Sequence, residues 1–401
     1  MMNRLQSPPP RLPGQRAGSG SVVPCGHPVR RSAAAREAGS ALVVVLWVVG
    51  LLSLFVTAFA FDMHIESRIT SSWRKKLKAE YLARAGFELA CMTLQETADT
   101  DVNNTDISIY LANGSDEKVR GGAISLARGG VAELTRPLGE GTVSLHVRPE
   151  NARIDLNSLI DVNDRNKTCA NWEPLFEAAG VPWEDCDALI DCLLDWVDTD
   201  DLTHLNGVES EYYESLDVPY RAKNAPLDTV DELALVKGFD AALPDSDVTI
   251  YQALAGFLTT YGGDDQNQKI NINAADGNTL MGFLNIDATL AEEIIAERDG
   301  PDLLPGTDDD VPFKDMADLQ GRIPGLTPAA SERIDFKPTG RFFILARGKA
   351  GDVEHAIACV VLLANKRLTV LHWIEGDVGQ ERLLNPQLRE PAIEYGAPEQ
   401  P

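Results

Sequence analysis

The chain is expected to be an α+β protein, with one long N-terminal helix packed on a small antiparallel sheet and a large all-α segment inserted into that sheet. Three observations in its 401 residues lead there. An uncharged apolar run at residues 41–61 continues into an amphipathic helical pattern reaching about residue 98. Strand-like alternation appears at residues 123–147 and again at 341–374, with helical periodicity between. The helical part also echoes itself: Arg153-Ile-Asp-Leu-Asn reappears as Lys269-Ile-Asn-Ile-Asn, and a Pro226…Leu233 segment as Pro312…Leu319.

The apolar run is long enough, at about 1.5 Å per residue, to cross a hydrocarbon layer of about 30 Å as a helix. Ahead of it, residues 1–39 carry Arg4, Arg11, Arg16, Arg30, Arg31 and Arg36 against a single acid, Glu37. Positive charge before an apolar segment holds that end in the cytoplasm and exports the rest. A secretory signal has its small-residue cleavage site after the apolar core. In this chain the small residues Ala38-Gly39-Ser40-Ala41 come before it. Cleavage there would remove the charged leader and keep the helix.

That order resembles the type IV prepilin class, in which a prepilin peptidase cuts after a glycine ahead of the hydrophobic helix. On that resemblance Gly39 and Ser40 are the processing residues and the mature chain begins at Ser40. The class usually carries glutamate as the fifth mature residue, and this chain has Val44. A charge left unpaired in an apolar setting is costly. A subunit with valine cannot offer that charge to one below it, which suits a fibre tip. The alternative is a plain signal anchor with an incidental glycine.

Losing six arginines and one glutamate takes the net charge from −25 to −30. So acidic a surface repels nucleic-acid phosphates and anionic lipids and favours divalent cations. Five cysteines, Cys91, Cys169, Cys186, Cys192 and Cys359, lie outside the leader. An odd number leaves at least one thiol free in an oxidising compartment. Cys186 and Cys192 sit six apart on one predicted helix and face apart, and a bridge from Cys169 to either stays open.

The remaining elements follow in order. The stem spans residues 40–98, with Ile65, Ile69, Leu77, Tyr81, Leu82, Phe87, Leu89 and Met92 as its apolar positions. Residues 99–122 read as loop. Strands are expected at 123–127 and 131–134 about an Arg128-Gly129-Gly130 turn, and at 142–147, giving a first sheet part at 99–152. The inserted domain occupies 153–335, as modules of about 155–258 and 271–335. Strands at 341–346, 354–363 and 368–374 complete the sheet (336–376), and residues 377–401 form an unstructured tail.

One segment of the insertion carries chemistry. A helix at Asp187–Trp196 runs into a loop bearing Asp198, Asp200, Asp201, Asn206, Glu209, Glu211 and Glu214. Calcium takes six to eight oxygens from such groups. Counted from Asp198, Asp200 and Glu209 fall at the third and twelfth positions of an EF-hand loop. Leu202 stands where the fifth oxygen ligand belongs, and Thr203 where glycine makes the turn. The plainer alternative is a solvated acidic helix end with Asp198 or Asp200 as a cap.

Asp195-Trp-Val-Asp-Thr-Asp-Asp, Asn206-Gly-Val-Glu-Ser-Glu-Tyr-Tyr, Val218-Pro-Tyr-Arg, Asn224-Ala-Pro-Leu and Glu232-Leu-Ala-Leu-Val-Lys-Gly-Phe239 resemble type II secretion protein K, the large minor pseudopilin family. Gly39-Ser-Ala-Leu-Val-Val-Val-Leu-Trp, Tyr81-Leu-Ala-Arg-Ala-Gly-Phe-Glu and Ile272-Asn-Ala-Ala are similar to it as well. The resemblance implies a pilin-like core with two SAM-like, helix-hairpin modules inserted. It implies calcium in the Asp198–Glu214 loop and a place at the pseudopilus tip beside the I and J minor pseudopilins. It also implies an inner-membrane anchor, a periplasmic body and contact with secreted substrates.

Two rivals belong to other classes. Asn271-Ile-Asn-Ala-Ala and Ile323-Pro-Gly-Leu-Thr look like pieces of helix-hairpin-helix modules, as in a membrane-anchored DNA receptor of competence type. The first hairpin would be Leu284-Asn-Ile-Asp287, without glycine and with an acid toward the phosphate, so no nucleic acid is expected. For an enzyme, His64, His146, His204, His355 and His372 are scattered and no nucleophile or phosphate motif appears. His204 is read as a surface residue and no catalysis is expected.

Overall fold

The computed structural model describes residues 37–97, 125–126, 129–262, 268–307 and 309–377. The leader before residue 37, the loop expected at 99–122 and the tail after residue 377 lie outside the described residues. The described residues fall into two compact units, divided between Arg68 and Ile69.

In the first unit the described residues belong to helix α1 (Glu37–Thr97), which carries Gly39 and Ser40 near its start. Its apolar run is bare: Leu42, Val45, Trp47, Leu54 and Phe55 are each more than half exposed. A helix that is apolar all round needs an apolar medium rather than one buried face. Among the described residues α1 is the one helix long and apolar enough to cross a membrane.

In the second unit, α1 from Ile69 onward becomes one-sided. Ala79, Ala83, Ala90 and Leu94 are buried while Tyr81 and Met92 face outward. They pack on a five-stranded antiparallel sheet of order β1-β2-β7-β8-β9. Its strands are β1 (Ala132–Leu138), β2 (Gly141–Pro149), β7 (Arg341–Ala350), β8 (Val353–Ala364) and β9 (Arg367–Asp377). The helix seats on small residues. A Cβ added at Gly86 would lie 2.8 Å from Val143, and one added at Gly348 would strike the backbone of Ala79 and Ala83. The seat is pinned at its rim by Lys75 to Asp352 (2.6 Å) and by Lys78 to Glu140.

The first hairpin differs from expectation. Ser125 and Leu126 are helical, and the turn is at Gly139-Glu140, between β1 and β2, rather than at Arg128-Gly129-Gly130. Gly129 and Gly130 are instead held against the insertion. The Asn271 side-chain amide donates to the Gly129 carbonyl (2.7 Å), and a Cβ on Gly129 would meet the Phe336 carbonyl. Close backbone approach and the left-handed backbone of Gly129 (φ 87°), not a strand turn, are what require glycine there.

The insertion leaves after β2 and returns at β7, and these strands are neighbours, with Pro149 opposite Phe342. Its internal echo is structural. In the first module β3 (Ile154–Asp155) pairs in parallel with β4 (Leu258–Thr259). In the second, β5 (Ile270–Asn271) pairs in parallel with β6 (Ile334–Asp335). Each module is thus tied start to end by a two-residue bridge. Asn157 exchanges two hydrogen bonds with the Leu227 backbone (both 2.9 Å), and Asn273 does the same with Phe313 (both 2.8 Å). Leu227 and Phe313 each follow the proline of the repeated segment. These tethers span 70 and 40 residues. The extra chain in the first module is where the acidic loop lies.

Between the ties run short capped helices: α2 (Arg165–Ala179), α3 (Trp183–Val197), α4 (Ser210–Glu214) and α5 (Ile250–Ala255) in the first module. The second has α6 (Gly277–Leu284), α7 (Ala288–Asp299), α8 (Met316–Arg322) and α9 (Pro328–Glu332). Asp164, Asp276, Asp287, Asp315 and Thr327 accept backbone N–H bonds at the starts of α2, α6, α7, α8 and α9. Each such cap is worth about 1 kcal/mol. The two modules share one apolar core from Ile154 to Ile334, and Gly282 of α6 lets Leu175 of α2 approach closely.

Replacing Gly348 by valine is expected to lift α1 off the sheet at a cost of about 3 kcal/mol or more, since the clash is with backbone. Thermal unfolding measures it, and a variant melting like the parent would show that the helix does not seat there.

Candidate metal centre

The acidic segment begins where α3 ends. That helix buries Leu189, Ile190, Leu193, Leu194 and Val197 on one side, which turns Asp191 and Asp195 inward at the loop. Both aspartates are buried and both are used. Asp191 takes the Arg165 Nε (2.5 Å) and the side-chain and backbone N–H groups of Asn206 (3.0 and 3.1 Å). Burial pushes the Asp191 carboxyl up, but Arg165 and Asn206 together hold it below its ordinary value. Asp195 accepts the His204 backbone N–H (3.0 Å) and pairs with the His204 ring Nδ1. A Cβ on Gly207 would run into the Asp195 carboxylate, so only glycine permits this fold-back.

Beneath the loop lies an aromatic floor. Trp196, Tyr213 and Tyr220 meet with ring centroids 5.1 to 6.1 Å apart, and Tyr213 is wholly buried. The returning segment is fixed by Asn224, whose N–H donates to the Trp196 carbonyl (2.9 Å), and by Lys223, which pairs with Asp228 and Glu232.

On this base three carboxylates converge. Oxygens of Asp198, Asp200 and Glu209 lie within 4.8 Å of one another. A second group of the same tightness, Asp195, Asp198 and His204, shares Asp198 with it. Glu209 is 6 % exposed, and neither of its carboxylate oxygens has a hydrogen-bond partner. The Asp198 Oδ1 and the Asn224 Oδ1 are likewise buried without a donor. A buried anion without donor or counter-charge is strongly unfavourable. Its effect shows in the acidities. Burial, then the charges of Asp195, Asp198, Asp201 and Asp200, push Glu209 up to about 7. Burial and the charges of Asp200 and Asp195 raise Asp198 as well. The orphaned atoms are all hard oxygens, the donor set that a cation such as calcium takes, so the residues present fit such an ion.

Of the seven residues singled out in the sequence, Asp198, Asp200 and Glu209 are brought together. The others are not. Asn206 is committed to Asp191, and Glu214 pairs with Arg221 (2.5 Å). Asp201 and Glu211 are exposed and outside both clusters. Asn206 and Glu214 each have a nearer partner. His204 is not the surface residue expected, being half-buried against Asp195. Sequence reading also missed Asn224, whose left-handed backbone (φ 49°) turns its side chain back to the loop. The Asn-Ala-Pro spacing was its one signal.

Metal-free protein should show a particular pH dependence. The folded-state value of Glu209 lies above its ordinary 4.5, so the folded chain holds a proton that the unfolded chain releases. Stability is full below about 4.5 and is lost as pH rises toward about 7. Melting temperatures in chelator from pH 4.5 to 7.5 should fall, and Glu209→Gln should flatten the fall. An unchanged slope in the variant would show that Glu209 is not the strained group.

Comparison with known proteins places this geometry. Residues 152–262, the first module from β3 to β4, match the family described as type II secretion system (T2SS), protein K. The chain is 26 % identical over 243 residues to type II secretion system protein K of Klebsiella pneumoniae, covering 59 % of this chain and 66 % of that protein. It is 22 % identical over 360 residues to the corresponding protein of Pectobacterium carotovorum, covering 88 % of this chain and 99 % of that one. A chain in the crystal structure of the GspK-GspI-GspJ complex from the enterotoxigenic Escherichia coli type 2 secretion system shares the fold. The TM-score is 0.52 at 17 % identity, over 78 % of this chain and 99 % of that chain. A family-specific first module and relatives aligned along most of its length together support a type II secretion system protein K.

Proposed function

We propose that the chain is a minor pseudopilin that caps and helps to start a periplasmic pseudopilus serving the export of folded proteins. The observation that carries this reading is α1. It is an unbroken helix that starts with an exposed apolar run, preceded by Gly39, and ends buried on an antiparallel sheet. That is the stem a fibre subunit needs. The leader's arginines set its orientation, so the anchor sits in the inner membrane and the body in the periplasm.

Prepilin peptidase cuts between Gly39 and Ser40. Val44 then stands where a stacking subunit would carry a carboxylate, and the insertion between β2 and β7 adds bulk to the body. Both features favour the end of the fibre. The solved relative is a member of a complex with GspI and GspJ, which supports I- and J-type minor pseudopilins as partners of this chain. No catalytic role is proposed. A nucleic-acid receptor is not favoured: the first candidate hairpin has Asn285 at φ 53° and Asp287 capping α7, which puts an acid where phosphate would bind.

Calcium is the ion proposed for the acidic loop, held by Asp198, Asp200 and Glu209 with Asn224 beside them. It would supply positive charge to oxygens that lack any donor. That charge would fix the end of α3, the loop and the Asn224 return as one body. Contact with secreted substrates is assigned to no residue.

Gly39→Val should block leader removal, seen as retention of the longer form on a gel, whereas Val44→Glu should leave tip assembly with the I and J subunits intact. Normal processing of the Gly39 variant would overturn the prepilin reading. Chelation should lower the melting temperature of the parent chain and leave the Asp198→Ala, Asp200→Ala double variant unmoved. A parent insensitive to chelator would remove the calcium assignment.

A further inference from the structure

Helix α1 crosses the sheet in a definable register. Gly86 sits over Val143, Leu145 and Ala346. One residue on, Phe87 meets Trp373 edge-on with ring centroids 4.9 Å apart. Trp373 is the cross-strand partner of Cys359, and Cys359 that of Ile344, so these three share one rung of the sheet. Residues directly opposite across an antiparallel pair project from the same face. Cys359 and Ile344 accordingly belong to the core beneath α1 with Ala90 and Leu94, while their neighbours Ala358 and Val360 lie in the core on the other face. Cys91 stands one helical turn after Phe87 on the same side of α1 and packs against that same core.

Cys91 and Cys359 therefore lie in the same core at the seam between the stem and the sheet, near enough for the Cys91 charge to act on Cys359, both as free thiols in this structure. We infer that these two cysteines are a disulfide site that locks the stem helix to β8, the strand between β7 and the edge strand β9. The inference rests on the reading above, that the body matures in an oxidising compartment. Two features of the thiols agree with their placement. Burial, and after it the neighbouring Cys91, drive the Cys359 thiol far above its ordinary value. Burial, with help from Glu88, pushes Cys91 up to about 11. Thiols so hard to ionise exchange slowly, so the bond closes while the seam is still forming and is afterwards protected.

The chemistry needs an external disulfide as oxidant, a protein dithiol oxidase or glutathione disulfide. The Cys91 thiolate, half-exposed on the helix, attacks one sulfur of that disulfide and expels the other as thiolate. Cys359 then loses its proton and attacks the Cys91 sulfur of the mixed disulfide. The oxidant leaves as its second thiol. The two cysteines lose two protons and two electrons, and the oxidant gains them. The other three cysteines outside the leader, Cys169, Cys186 and Cys192, lie in the insertion and take no part.

The test uses the full chain extracted in detergent from cell envelopes, with free thiols blocked by N-ethylmaleimide under denaturing conditions without reductant. Digestion and mass spectrometry should find the peptides of Cys91 and Cys359 joined. Cys91→Ser should leave Cys359 blocked as a free thiol, and reduction should lower the melting temperature of the parent but not of the variant. A second arm refolds the reduced chain in a glutathione redox buffer. Linkage in both arms supports the site. Linkage in the buffer alone also supports the juxtaposition, and counts instead against an oxidising location. Free Cys91 and Cys359 in both arms overturn the inference.

Discussion

The constraint that organises the first module is negative charge collected where α3 ends. Helix α3 must bury its apolar side, and doing so draws Asp191 and Asp195 inward. Those two are satisfied by Arg165, Asn206 and His204. The Glu209 carboxylate and the Asp198 Oδ1 are not, having no hydrogen-bond donor among the described residues. Everything around the loop holds that strained arrangement in place: the Trp196–Tyr213–Tyr220 floor, the Lys223–Glu232 pair and the tether of Leu227 to Asn157. That so many contacts position unpaired oxygens is the ground on which a cation is proposed for the loop, in preference to a merely acidic surface.

The two halves of the insertion show how such a loop can be carried without disturbing the fibre subunit. Each module opens and closes with a parallel two-residue bridge and an asparagine clamp on the residue after a proline. The clamp is two-point, buried at Asn273 and part-buried at Asn157, and leaving buried partners unpaired costs about 1–3 kcal/mol. Because β2 and β7 are neighbours, the whole insertion is anchored where it leaves the sheet. Length added between clamps, as in the first module, changes the loop and not the frame.

Much of this was legible in the chain because it depends on local pattern. The apolar run, the strand–helix–strand order and the echo of Arg153-Ile-Asp with Lys269-Ile-Asn all mark real elements. The echo even falls on the bridging strands β3 and β5. What could not be read was choice among equals. Seven oxygen-bearing residues lay within the acidic segment, and only tertiary contact decides that Asn206 answers Asp191 and Glu214 answers Arg221. The false hairpin at Gly129-Gly130 has a similar origin. Glycine there serves close approach to Asn271 and Phe336, which sequence cannot distinguish from a turn. Asn224 and His204 act through returns of the chain that have no periodic signature.

The most direct test of the central claim is a crystal structure of the chain grown with calcium, using anomalous scattering to locate the ion. The account requires a calcium peak among the carboxylates of Asp198, Asp200 and Glu209, with all three turned toward it. A calcium-soaked structure with no peak there, and with the Glu209 carboxylate turned to water or to a basic side chain, would contradict it.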